Sequence, residues 1–223
     1  MAGVLQIKRP DSLSKTAEEN IRRGITSGTF QLGESLPEAR LSEAMGISKT
    51  PIREALVALN LQGLVEIIPQ RGAFVFSLSQ NDVVQLCRYR LILETAALDQ
   101  AFEQKPDGLI RELSDVLEKM SDAHQTDAFE AYLELDAAFH AVFFRQCGNI
   151  FLAEGYQKVS DIVQTIRTHL SRRSERTAKS FAEHETFLMH LREGKIKAAK
   201  TVLKRQITRG ERSYSDLIGV RET

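Results

Sequence analysis

The chain has 223 residues, of which 42% are hydrophobic and 27% charged, and a mass of 25.1 kDa. That length allows one or two domains with cores of their own, and the composition excludes disordered or collagen-like sequence. Thirty basic side chains balance thirty acidic ones, which excludes a basic coat over the whole surface but leaves room for a local basic patch.

Cys87 and Cys147 stand apart without CxxC spacing and are expected to be reduced core residues of a cytosolic protein. Residues 1–11 include Lys8, Arg9 and Pro10 and no apolar run, so no signal peptide is expected. No run approaches the ~20 apolar residues of a membrane span. The expected compartment is the cytoplasm.

Leu13, Ala17, Ile21 and Ile25 recur every fourth residue and predict a first helix with one apolar stripe. Gly28 and Gly33 bracket the loop that stops it. Pro37 opens a short second helix carrying Leu41, Ala44 and Met45. Gly46 ends that helix where a left-handed residue is wanted. Ser48 is expected to cap a third helix, with Pro51 in its first turn and Ile52, Ala55, Leu56 and Leu59 as its apolar face. Leu64 to Ile68 and Ala73 to Leu78, separated by Pro69, Gln70, Arg71 and Gly72, predict a β-hairpin.

From residue 79 onward helical periodicity dominates. The predicted helices run from about Gln80 to Gln104, Asp107 to Ala123, Asp127 to Cys147, Ile150 to Arg173, Ala178 to Arg192 and Lys195 to Leu217. Short connections between long amphipathic helices predict an antiparallel bundle. The expected fold is therefore mainly α: a winged helix-turn-helix over residues 1–78, then an all-α bundle of six to seven helices over residues 79–223.

Helix, short helix, tight turn, helix and hairpin is an order suited to DNA, with the third helix in the major groove. Ser48, Lys49, Thr50 and Arg53 would face the bases and phosphates, and Arg71 and Gly72 would sit at the wing tip. The same elements also suit a protein-interaction module, and pattern alone leaves both open.

The stretch Gly33-Glu34-Ser35-Leu36-Pro37-Glu38, then Leu41-Ser42, then Gly46-Ile47-Ser48-Lys49-Thr50-Pro51-Ile52-Arg53-Glu54-Ala55-Leu56, resembles the GntR family of bacterial transcription regulators. Gly63-Leu64-Val65 and Gly72-Ala73-Phe74-Val75 continue the resemblance into the wing. It implies that Ser48, Lys49, Thr50, Arg53 and the wing around Gly72 contact double-stranded operator DNA. Lys49 stands where relatives often have Arg, which keeps the charge but gives up the two-pronged contact. Residues 1–78 carry nine basic and eight acidic side chains, so non-specific DNA binding is expected to be weak.

In the bundle, Asp136 and His140 lie four apart and leave one helix face together, with His184 on a different helix. Spacing leaves two readings open: a divalent metal of Zn or Ni type, or a simple hydrogen-bonded pair. Arg90 suits an anionic effector or, equally, an open pair with Glu94. Phe139, Phe143 and Phe144 are expected in the core, and His124 and His169 at the surface. A metal-dependent hydrolase is disfavoured by the lack of HExxH, GxSxG or a phosphate loop.

Arg90-Leu91-Ile92-Leu93-Glu94, Asp136-Ala137-Ala138-Phe139-His140, Gly148-Asn149 and Glu183-His184 resemble the FCD ligand-binding domain of the FadR subgroup. That resemblance implies a metal held by one Asp and three His. Here Asp136, His140 and His184 match, but the fourth position is Gln206. Three outcomes stay open: a metal on three ligands with Gln206 toward water or effector, weak metal binding, or direct effector recognition by these side chains. The resemblance also implies a repressor, a homodimer on a pseudo-palindromic operator and a small effector; a carboxylate would suit Arg90 and the metal.

Overall fold

The structure is a computed structural model and describes residues 12–170 and 174–219. The N-terminal stretch with Lys8, Arg9 and Pro10 and the expected end of one helix at Arg173 lie outside the described residues. The chain divides into two compact units, residues 1–77 and 78–223.

The first unit begins with α1, Leu13–Thr26, whose N-cap Ser12 accepts a hydrogen bond from the Lys15 N–H. Ala17, Ile21 and Ile25 are buried on one side, while Leu13 is 59% exposed at the open first turn. α2 is Glu38–Met45 and α3 is Lys49–Leu61. Gly46 joins them at φ 64 and ψ 30, the left-handed region where a side chain is strained. The turn is closed by Ile47 N–H donating to the Ser42 carbonyl (3.2 Å). α1 packs on α3, which buries Ile52, Ala55, Leu56 and Leu59.

β1, Val65–Ile68, and β2, Gly72–Val75, pair antiparallel, with Val65 opposite Val75 and Ile68 opposite Gly72. Both strands are shorter than the apolar runs predicted. Gln70 at φ 64 and Gly72 at φ 101 turn the tip. A third extended segment was missed: Leu36 N–H donates to the Ala73 carbonyl and Val75 N–H to the Glu34 carbonyl, both at 2.8 Å. That segment ties the loop before α2 to the wing.

The second unit holds six helices among the described residues: α4 Gln80–Gln104, α5 Pro106–Gln125, α6 Phe129–Gln146, α7 Ile150–Leu170, α8 Ser174–Arg192 and α9 Ile196–Gly219. Ser79 and Asp82 form a reciprocal capping box that starts α4. Pro106 opens α5, where its missing N–H costs nothing. Asp127 at φ 52 delays α6 to Phe129, and α8 begins four residues before the predicted start. Gly148 at φ 66 ends α6, and the Asn149 side chain accepts from the Phe151 and Leu152 N–H groups to start α7.

The bundle core runs through all six helices, with Leu98, Leu109, Leu113, Phe139, Phe143, Phe187 and Leu203 at its centre. Cys147 is buried and Cys87 half-buried, both free thiols. Among the described residues, no helix is long and apolar enough to cross a membrane.

Candidate functional site

In the first unit, Ser48, Lys49, Thr50 and Arg53 are all exposed at the start of α3. Ser48 occupies the N-cap position, φ −69 and ψ 165, but its side chain makes no cap hydrogen bond. This corrects the expected capping role. The extended backbone of Ser48 still starts the helix, while its side chain remains exposed. Arg53 projects from the same surface and is paired with Glu38. At the wing tip the Arg71 guanidinium lies 5.7 Å over the Phe74 ring, a cation–π contact that the sequence reading did not include. Gly72 has open space around its missing Cβ, so its positive φ is what requires glycine there.

In the second unit the structure brings Asp136, His140 and His184 together, each offering a ligand atom within 4.8 Å of the others. α6 supplies the first two from one face and α8 the third. His184 Nε2 lies 3.5 Å from Asp136 Oδ1, the spacing of two donors sharing an ion at bonds of ~2.1 Å.

Both imidazoles are held by their other nitrogen. His140 Nδ1 is 2.6 Å from Glu94 Oε2; the carboxylate can only accept, so Nδ1 carries the proton. His184 Nδ1 donates to the Ser180 carbonyl (2.7 Å). Each Nε2 is thereby left with its lone pair, the arrangement that orients metal-binding histidines. His184 Nε2 is buried without a hydrogen-bond partner. These residues fit a divalent ion on three donors.

Burial sets the charges. Removal from water would raise the Asp136 carboxyl, but Arg167, then His184, outweigh it and hold it at about 2. Burial lowers His140 to about 4 against the pull of Glu94. It lowers His184 as well, with Asp136 opposing. Both rings are neutral near pH 7, as metal binding requires.

Arg167 is the functional-looking residue that sequence reasoning missed. Its Nη1 is 3.2 Å from Asp136 Oδ2, and its Nη2 is buried without a partner. Arg90 is paired with Glu94 (Nε to Oε1, 2.5 Å), but the pair is buried, which corrects the solvent-exposed alternative. Glu94 thus joins Arg90 to His140. Gln206 lines the same cavity, and its Nε2 is buried without a partner. The cavity has a volume of about 100 Å³ and is also lined by Tyr132, Ser180 and Arg209.

Of the two histidines expected at the surface, one is buried and the other is half-buried. His169 is buried, with Nδ1 donating to the Thr165 carbonyl, and His124 stacks on Phe181 at 5.5 Å. Each fills a helix face that the polar ring concealed in the sequence. Phe139, Phe143 and Phe144 are core, and Phe139 meets the His184 ring edge-on at 4.4 Å.

A winged helix-turn-helix joined to a helical bundle with a polar cavity is the build of a ligand-responsive transcription regulator. The model of the bacterial regulatory proteins of the gntR family matches residues 13–75, and the FCD domain model matches residues 85–209. The chain is similar to the uncharacterised HTH-type regulator YdhC of Bacillus subtilis, 25% identical over 81% of each chain. It is 24% identical to the gluconate operon transcriptional repressor of Bacillus licheniformis, over 81% of this chain and 73% of that one. A GntR-type regulator from Rhodococcus sp. RHA1 shares the fold at a TM-score of 0.78, 20% identity, and coverage of 89% of this chain and 95% of that one. The chain belongs to the GntR family of transcriptional regulators, with an FCD domain as its second unit. These families and relatives are regulators of transcription, not enzymes.

Proposed function

We propose that the protein is a cytoplasmic homodimeric repressor that leaves its operator when a small carboxylate metabolite enters the cavity of the helical unit. The observation that carries this reading is the buried cluster of Asp136, His140 and His184, flanked in one cavity by Arg167 and Gln206 nitrogens without partners. A guanidinium nitrogen and an amide nitrogen lacking acceptors are complementary to an oxygen-rich anion. A volume of about 100 Å³ suits a small one.

Asp136, His140 and His184 would hold a divalent ion of Zn or Ni type, with Gln206 turned to the effector instead of serving as a fourth ligand. When bound, the ion supplies a Lewis-acidic point for a carboxylate or hydroxyl oxygen. Glu94 and Ser180 keep the two imidazoles in the required tautomer, and Arg167 receives the anion. In the first unit, Ser48, Lys49, Thr50, Arg53, Arg71 and Gly72 would meet the operator. Two such readers on a two-fold axis would match a pseudo-palindrome. Release requires that the effector bind the DNA-incompetent arrangement more tightly than the competent one.

The test combines elemental analysis of the purified protein with a thermal-shift screen of small carboxylates, before and after chelation. A bound divalent ion and a carboxylate that stabilises the protein and lowers operator affinity support the reading. Stabilisation that survives chelation assigns recognition to Arg167 and Gln206 alone. No carboxylate effect in either state refutes it.

A further inference from the structure

Glu38, the first residue of α2, grips the arginine of α3. Arg53 Nε donates to Glu38 Oε1 (2.9 Å) and Arg53 Nη2 to Glu38 Oε2 (2.7 Å). Two parallel bonds are the most directional contact these groups can make. The Glu38 side chain is 32% accessible and that of Arg53 67%, so the acid is the more covered partner and the arginine the more exposed one. The contact is felt by both groups: the hydrogen bond from Arg53 holds the Glu38 carboxyl below its usual range and raises the guanidinium in turn.

A two-pronged pair with its acid in the first turn of α2 contributes modestly to stability, which does not by itself explain why the acid is matched to this arginine. Nor does an acid belong, on charge alone, beside a surface that approaches phosphates. The geometry gives a different account. A guanidinium has two edges able to make paired hydrogen bonds, the Nε/Nη2 side and the Nη1/Nη2 end. Glu38 occupies the side. The free end is an edge that can fork onto guanine O6 and N7. With its net charge cancelled, the pair also gives little to phosphate neutralisation, the sequence-independent part of DNA affinity.

We propose that Glu38 is a positioning residue for DNA recognition: it fixes the Arg53 plane with the Nη1/Nη2 end outward for guanine and keeps that arginine from settling on phosphates. The proposal rests on the reading of α3 as the operator-contacting helix. It gives the balanced charge of the first unit a purpose, since one acid is spent on selectivity.

The experiment uses the full chain. Randomised duplexes are selected with the wild type, and the enriched duplex and a shuffled duplex of the same composition become the two probes. Dissociation constants are measured across a salt series for the wild type, Glu38→Gln, Arg53→Ala and the double variant. For Glu38→Gln the ratio of shuffled to selected dissociation constants is expected to fall by about ten-fold. Binding to the shuffled duplex should strengthen, with a salt slope steeper by roughly one contact. In the Arg53→Ala background the same change is expected to leave the ratio unaltered. An unchanged ratio for Glu38→Gln overturns the proposal, as does an equal loss in both backgrounds, which is what a purely structural Glu38 gives. Failure of the wild type to enrich any duplex overturns the DNA reading itself and is separable from both.

Discussion

His140 and Glu94 are joined by a 2.6 Å hydrogen bond between Nδ1 and Oε2, with both side chains almost wholly withdrawn from solvent. Glu94 accepts from Arg90 through its other oxygen, so one buried carboxylate answers for a cation and a ligand-like imidazole together. Glu94→Gln leaves the Arg90 charge buried without its partner and is expected to cost about 3 kcal/mol or more of stability. It should also weaken metal binding by roughly ten-fold or more, because the imidazole loses its orienting acceptor. Urea denaturation and a metal titration against a chromophoric chelator measure the two effects; a variant as stable as the wild type contradicts the first.

Acid should loosen the helical unit before it reaches the carboxylates. The His140 imidazole takes its proton near pH 6.5 when unfolded and near 4 when folded. Between those values the unfolded chain holds the extra proton, so stability is complete above pH 6.5 and declines as pH falls toward 4. Asp136, held at about 2 against 3.8, adds a second loss as pH falls from about 4 to 2. The metal-free protein is expected to lose about 2 kcal/mol between pH 7 and pH 5 from His140 alone. Tyrosine fluorescence reports this unit selectively, since the chain has no tryptophan and its four tyrosines, Tyr89, Tyr132, Tyr156 and Tyr214, all lie in it. A flat profile between those two pH values counts against a buried neutral His140.

Replacing Gln206 by His supplies an imidazole where the FCD pattern places its fourth ligand. Gln206→His is expected to tighten metal binding by about ten-fold or more and to change which carboxylates stabilise the protein, because the amide donor has gone. Competition with a chelator of known affinity checks the first, and a repeat of the thermal-shift screen the second. Equal metal affinity in both proteins places residue 206 outside the coordination sphere.

His140→Ala should separate sensing from DNA binding. The variant is expected to need at least about ten-fold more effector to release the operator, with effector-free operator affinity unchanged. Response at the wild-type concentration shows that the effector binds elsewhere.

Ser48→Ala distinguishes a helix cap from a DNA contact. N-cap replacements usually cost ~1 kcal/mol, but the Ser48 hydroxyl makes no cap bond, so the variant should retain nearly full stability. Its operator affinity should still fall, alongside a loss of about 1–3 kcal/mol for Arg53→Ala. Thermal melting and gel-shift titration at fixed salt provide the comparison, and a destabilised Ser48→Ala with intact DNA binding reverses the assignment.

The order of elements could be read along the chain because most helices carry their own punctuation, although the starts of α6 and α8 did not. Gly46 must be left-handed, Pro106 opens a helix, and Asn149 starts one. The Asp136, His140 and His184 cluster was legible because two of its members share a helix face. Arg167 was not, because nothing local distinguishes an arginine turned into a cavity from one in solvent; its role comes from Asp136, which arrives from another helix. Arg90 carried a fainter signal. It stands in register with the buried stripe of Glu94, Ala97 and Ala101, and that phase argued against an open ion pair. The Ser35–Phe74 bridge was hidden because a short extended segment has no periodicity of its own.

Phe139 lies edge-on to His184 and packs against Phe187, so the wall of the cavity is also the centre of the bundle core. Whatever fills the cavity therefore completes the core. By mass action, occupancy adds to the unfolding free energy in proportion to the logarithm of ligand concentration. Resistance of the helical unit to proteolysis is therefore expected to rise with the concentration of the proposed effector.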